Sequence, residues 1–249
     1  MRNYHGGVIL AIDSSAGASV AVLDAGGVRA QWRTAETTTH AEVLAEAVAL
    51  TMRDAEATGA GLRGVVVGVG PGPFTGLRVG LALAQSLAEV WGVALYGVCS
   101  LDSLAQRAVN QPAESGTSAS GEFLVASDAR RREVYWARYR ADAHGFAELL
   151  EGPRVSAATE LPELPVVGVG ASLYPQDLTA RGAAESHWLP DAVELGQLAQ
   201  RQLGQIPEPQ RSGEPTAAAA GTGLREPLPL YLRESDAKVP AQMRAKQAS

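Results

Sequence analysis

The first pattern along the chain is an unbroken apolar run, Val8-Ile9-Leu10-Ala11-Ile12, which stops at Asp13. A short run without polar alternation reads as a strand covered on both faces. The turn-rich cluster Asp13-Ser14-Ser15-Ala16-Gly17 follows it. Further runs at 19–23 and 28–33 flank Asp24-Ala25-Gly26-Gly27. Turn residues between strand-like runs predict a hairpin, so the chain opens with three neighbouring strands, the first of them central. The period then changes. Thr39-His40-Ala41-Glu42 has the spacing of a capping box with Thr39 at the N-cap. Val43, Leu44, Ala47, Val48, Leu50 and Thr51 form one broad apolar face of a helix predicted over 40–57.

Residues 65–69 predict another buried strand, which enters Gly70-Pro71-Gly72-Pro73-Phe74 and then a long helix over 75–91. A strand follows at 93–98, and Ser100 stands as the cap of a helix starting at Leu101. Strand and helix alternating after a hairpin indicate an α/β domain with a mixed sheet. Residues 111–122, rich in Ser, Gly and Ala, read as a loop or linker. Two strands at 123–127 and 133–140 are joined by Asp128-Ala129-Arg130-Arg131-Arg132, with a short strand at 166–169 and a helix at 192–203 beyond. The tract 207–227 has Pro, Gly and Ala without periodicity and reads as a flexible insertion before a polar tail.

Composition narrows the function classes. With 249 residues and 46% hydrophobic positions the chain fits one large domain or two small ones with a real core. Its net charge of −6 argues against gripping nucleic acid unaided, because phosphate binding needs clustered Lys and Arg. It also gives no pull toward an anionic membrane. The apolar stretch 77–98 contains Arg78, Gln85 and Glu89, which makes a poor membrane span, and the first apolar run is too brief for a signal peptide. A single cysteine, Cys99, excludes an internal disulfide and a Cys-based zinc cluster, and reads as a buried free thiol. The expected compartment is the cytoplasm.

Chemistry could live in few places. The loop Gly70-Pro71-Gly72-Pro73-Phe74-Thr75-Gly76-Leu77-Arg78 joins a strand to a helix, where anions often bind. It has neither the Walker pattern nor a dinucleotide fingerprint, and Pro71 and Pro73 each remove an N–H donor. A rigid turn capped by Thr75, and a contact for a nucleotide or partner, both stay open. In the helix that follows, Gly76, Gly80, Ala84 and Ala88 make a ridge of small side chains. Leu77, Val79, Leu81, Leu83, Leu87, Val90 and Trp91 make it apolar nearly all round, so every face needs cover, from the second domain or from a second chain. Asp13 could hold a metal or water, or cap its own turn. His5, His40, His144 and His187 include no His-x-x-x-His pair, and there is no Gly-x-Ser-x-Gly elbow. Arg130-Arg131-Arg132 reads as a solvated turn. No complete catalytic set emerges.

The order of these segments is similar to that in the bacterial TsaB (YeaZ) family, accessory subunits for making threonylcarbamoyladenosine in tRNA. The resemblance is carried by Asp13-Ser14-Ser15, His40-Ala41-Glu42-Val43-Leu44, the Gly-Pro loop through Phe74-Thr75-Gly76-Leu77-Arg78, Gly97-Val98-Cys99-Ser100-Leu101, Asp128-Ala129-Arg130 with Glu133-Val134-Tyr135, and Pro229-Leu230-Tyr231-Leu232-Arg233. It covers about residues 8–235, with Pro73 where Ser is usual and a longer tract at 207–227. It implies an α/β fold of the actin, heat-shock chaperone and sugar-kinase type. Two related lobes with mixed sheets follow, over 1–99 and 100–249, the second reduced. It further implies a non-catalytic subunit that pairs with a TsaD-type transferase, joined by a TsaE-type ATPase, and meets tRNA only through the complex. The partner surface expected from it comprises Val43, Leu44, Ala47, Val48, Thr75, Gly76, Val79, Gly80, Leu83, Ala84 and Leu87. No cofactor of its own and no metal are expected. Whether ATP or ADP sits at the partner interface, and whether the free chain is a homodimer, stay open. The alternatives are an independent kinase-like ATPase of the same fold and a peptidase.

Overall fold

The computed structural model describes residues 7–34, 40–111, 121–204 and 223–233, and the side chains of 40–42 lie outside the description. Thr39, most of the 111–122 loop, the greater part of the 207–227 tract and the C-terminal tail fall outside it.

The opening strands β1 (Val8–Asp13), β2 (Ala18–Asp24) and β3 (Gly27–Thr34) pair antiparallel. After helix α1 (His40–Asp54), β4 (Leu62–Gly68) lies parallel to β1. Helix α2 (Phe74–Trp91) then leads to β5 (Ala94–Val98), parallel to β4. The sheet order is β3-β2-β1-β4-β5, with β1 central as expected. Successive strand side chains point to opposite faces. Leu10, Ile12, Val20, Val22, Val65 and Val67 therefore meet α1 and α2 on one side. Ile9, Ala11, Ala21, Leu23 and Val66 meet helix α5 (Ala192–Leu203) on the other. Two covered faces are the reason β1 and β4 read as continuous apolar runs rather than alternating ones.

Helix α3 (Ser100–Asn110) leads into a second sheet of β6 (Glu122–Asp128), β7 (Glu133–Ala141), β8 (Ala147–Ala157) and β9 (Val166–Val167), in the order β8-β7-β6-β9. Strands β6 to β8 are antiparallel and β9 is parallel to β6. Among the described residues the plan of the first sheet is repeated without a counterpart of β5. Helix α3 packs on one face through Leu101, Leu104 and Ala108, and the short helix α4 (Val169–Leu173) lies on the other. No helix among the described residues is long and apolar enough to cross a membrane.

Several expectations need correcting. Helix α1 ends at Asp54 rather than Ala57, because Glu56 turns to positive φ (51°) and the Ala57 amide reaches back to the Met52 carbonyl. Thr75 does not cap α2, which starts one residue earlier behind Pro73. Ser100 is the first residue of α3 rather than its cap, and its hydroxyl is used elsewhere. Strand β9 stops at Val167, where Gly168 takes φ 99° and turns the chain into α4. Sequence reading missed β8 because Gly152-Pro153 interrupts its pattern at a register shift on an edge. Helix α5, read as part of the second lobe, packs on the first sheet. Residues 223–227, read as the end of a flexible insertion, include Arg225, which pairs with Gly97 on the free edge of β5.

Candidate functional site

Parallel pairing brings the C-terminal ends of β1, β4 and β5 to one edge, so Asp13, Gly68 and Ser100 become neighbours. Asp13 Oδ1 accepts from the Ser15 amide (2.8 Å) and hydroxyl (2.7 Å), and Oδ2 accepts from the Ser100 hydroxyl (2.6 Å). Ser100 Oγ in turn accepts from the Gly70 amide at 3.1 Å. Gly68 lies between, and a side chain there would collide with the Asp13 carboxylate and the Ser100 hydroxyl. Burial pushes the Asp13 carboxyl above its ordinary range, and the hydrogen bonds from Ser100 and Ser15 act against that. Both carboxylate oxygens are thus spent on fastening the β1–β2 turn to α3. This is the turn-capping role left open for Asp13, extended by Ser100.

The Gly-Pro loop is packed onto the same turn. Pro71 and Gly72 are buried, and a Cβ on Gly72 would sit 2.5 Å from the Ser15 carbonyl oxygen. The Ser14 hydroxyl donates to the Gly76 carbonyl at 2.8 Å, and Gly80 lies directly against Ser14. The ridge Gly76, Gly80, Ala84 and Ala88 is buried against the chain's own sheet and turn, not turned outward. The close approach that small residues permit is used inside this chain. Leu44, Ala47 and Val48 of α1 are likewise buried in the same core. Of the positions expected to meet a partner, Val43, Val79, Leu83 and Leu87 remain half-buried and Thr75 exposed. Leu50 and Val90, the latter 80% exposed, extend these stripes at helical spacing. Helices α1 and α2 are in contact, so the stripes are adjacent. His40 opens α1, and its side chain lies outside the description.

The C-terminal segment 223–233 closes the loop from outside. The Leu230 amide donates to the Val69 carbonyl at 2.7 Å. Phe74 and Tyr231 have ring centroids 4.3 Å apart, and Arg78 Nε donates to the Tyr231 hydroxyl at 2.9 Å. The Arg78 guanidinium lies 5.8 and 5.9 Å from the two ring centroids, within cation–π range. Arg233 pairs with Glu133 at the start of β7. Motif residues of two distant segments, Phe74 and Arg78 with Tyr231 and Arg233, therefore form one seam between the lobes.

A cavity of about 340 Å³ lies between the lobes. Ser14, Ser15, Thr75 and Gly76 line one wall, and Asp128, Arg130 and Val169 the other. Asp128 accepts from the Arg130 amide at 2.7 Å and pairs with its guanidinium at 2.9 Å, holding the turn before β7. Arg130, Arg131 and Arg132 all adopt positive φ (61°, 56° and 64°), a run in the left-handed region that non-glycine residues rarely sustain. Tyr135 is buried on β7, where burial and nearby Asp128 push its hydroxyl pKa up. Among the described residues no group of three or more His, Cys, Asp or Glu could hold a metal ion. Cys99 is buried, and burial pushes its thiol far up, so it is no nucleophile at neutral pH. Sequence reading missed Ser100 as the partner of Asp13. The available signal was its place two residues beyond a parallel strand.

An uncharacterized protein of Mycobacterium tuberculosis is 36% identical over 208 residues, 82% of this chain and 80% of its own. The Bacillus subtilis tRNA threonylcarbamoyladenosine biosynthesis protein TsaB is 32% identical over 133 residues, 53% of this chain and 55% of its own. The solved structure of YeaZ from Pseudomonas aeruginosa superposes with a TM-score of 0.72 at 26% identity, covering 91% of this chain and all of that one. The profile of the family described as TsaD, tRNA N6-adenosine threonylcarbamoyltransferase, matches residues 32–182, more than half of the chain. The chain belongs to this family, as a TsaB/YeaZ-type member. The two mixed sheets bear out the expected α/β fold of two lobes, and the chain shares that fold with the YeaZ structures.

Proposed function

We propose that the chain serves tRNA threonylcarbamoyladenosine biosynthesis as a non-catalytic subunit that pairs with a TsaD-type transferase through the outward stripes of α1 and α2. The observation that carries this reading is the pair of adjacent apolar stripes, Val43 with Leu50 and Val79, Leu83, Leu87 with Val90, of which Val90 is exposed and the others are only partly covered in the single chain. Contiguous apolar rows that a chain covers only in part mark interaction surfaces. Two further points support it. The Asp13 carboxylate is fully occupied with structural hydrogen bonds, and the Gly-Pro loop is spent on packing. On this reading a TsaE-type ATPase joins the pair, tRNA is held chiefly by the partner, and any ATP or ADP sits at the partner interface. The same stripes would serve a homodimer of the free chain.

The test is tRNA threonylcarbamoylation in a mixture of the TsaD-type and TsaE-type proteins with and without this chain. The chain should raise the rate, and equal rates would end the proposal. Leu83→Glu should weaken co-purification with the transferase at least about tenfold, since it loses apolar burial and desolvates a carboxylate. A kinase-like ATPase is the second reading, favoured by the cavity between the lobes. Turnover of ATP by the chain alone, abolished in Asp13→Asn, would support it.

A further inference from the structure

A second cavity, of about 330 Å³, opens between the lobes and shares Leu189 with the first. Ser19 and Arg33 line it from β2 and β3, Arg107 from α3, and His187, Trp188 and Asp191 from the segment leading to α5. Its charge runs against that of the chain. Two guanidinium groups and a histidine face a single lining carboxylate, in a protein of net charge −6. The guanidinium groups also retain donor capacity. Arg33 reaches Asp191 only at a long 3.5 Å and leaves its other donors to solvent, its side chain being 65% exposed. Arg107 lies 4.2 Å from the Trp188 ring centroid, which positions it by cation–π attraction. Glu194, the second carboxyl close to both arginines, is pushed up to about 7 by burial and by Asp191, so at neutral pH it cancels only part of their charge.

The first amides of α5 do not contribute. The Asp191 amide donates to Ser103 Oγ, the Ala192 amide to Ser19 Oγ and the Val193 amide to Asp191 Oδ1. With these amides spent, the charged side chains of the lining are the groups that face an anion, and the size matches a small metabolite. We propose that this cavity binds a small molecule bearing a phosphate or carboxylate group, gripped between the guanidinium groups of Arg33 and Arg107. Planar guanidinium forks suit both oxyanions. Because the lining comes from β2 and β3 on one side and from α3 and the segment before α5 on the other, an occupant would tie the first sheet to these elements. The site is separate from the α1–α2 stripes and does not depend on the partner reading.

The test titrates the full chain with inorganic phosphate and, separately, with malonate, against sodium chloride of matched ionic strength. Trp188 fluorescence and the unfolding temperature are followed, with Trp188→Phe identifying the reporting ring. A saturable response to phosphate or to malonate is expected, and whichever saturates identifies the headgroup. Arg33→Gln and Arg107→Gln should each weaken it about tenfold or more, and circular dichroism should show both variants folded. Arg107→Lys, which keeps the charge but loses the fork, provides a second variant should Arg107→Gln unfold. No saturable response beyond the chloride control, or an affinity unchanged in either folded variant, would overturn the proposal.

Discussion

Replacement of Asp13 separates a structural carboxylate from a catalytic one. Asp13→Ala removes the acceptor for three donors, the Ser15 amide, the Ser15 hydroxyl and the Ser100 hydroxyl, at a fully buried position. Hydrogen bonds to a charged group contribute about 1.5–3 kcal/mol each. Removing the buried charge recovers part of its desolvation cost, so a net loss of about 3–4 kcal/mol is expected. That is a large fraction of the ~5–15 kcal/mol that holds a domain folded. Asp13→Asn keeps the shape. Its Oδ1 still accepts from both Ser15 donors and its amide can donate to Ser100 Oγ, so the expected loss is about 1–2 kcal/mol. Urea unfolding with a constant m-value reads both numbers. The Asn variant, still folded, should stimulate threonylcarbamoylation within about twofold of the parent, a barrier change near 0.4 kcal/mol. An Asn variant as stable as the parent that nonetheless loses stimulation would refute the reasoning, because the carboxylate would then be doing chemistry. So would an Ala variant losing less than about 1 kcal/mol, since the three bonds would count for little.

Two further predictions rest on separate features. Gly80→Ala should destabilise the fold by about 2 kcal/mol through the contact with Ser14 and the loss of the Ser14–Gly76 hydrogen bond, read as a lower urea midpoint; an unchanged midpoint would mean that α2 can shift away from the turn. Glu194 titrates near 7 in the fold against an ordinary 4.5, so the native state holds the proton more tightly and stability should fall as pH rises through that window. The whole effect is at most roughly 3 kcal/mol, and Glu194→Gln should flatten it; parallel pH profiles for the two proteins would refute the assignment.

The partner surface shows how far residue patterns carry. Helical spacing correctly located two apolar helices, yet it could not say which apolar stripe faced inward. The ridge Gly76, Gly80, Ala84 and Ala88 suits a second chain by its spacing, whereas Gly76 and Gly80 lie against Ser14 of the same chain and Ala84 and Ala88 in its core. Leu44, Ala47 and Val48 were drawn inward by the same sheet. The half-exposed residues left over, with Leu50 and Val90 added, narrow the candidate surface to a different stripe of α2. Strand β8 was hidden for another reason. Its partners on β7 are what make it a strand, and Gly152-Pro153 removes the local alternation that would have announced it.

By itself the sequence determined the strands of continuous apolar character, the central place of β1, the two helices that follow it, and the motif order that places the chain in its family. These are local signals, set by the period at which apolar residues recur. Only the tertiary structure decided the pairing of Asp13 with Ser100, the seam of Phe74, Arg78, Tyr231 and Arg233, and the return of α5 to the first sheet. Each joins residues tens of positions or more apart in the chain. Such contacts depend on which strand ends come together and which helix face finds the sheet first, and no periodicity within a single segment encodes either.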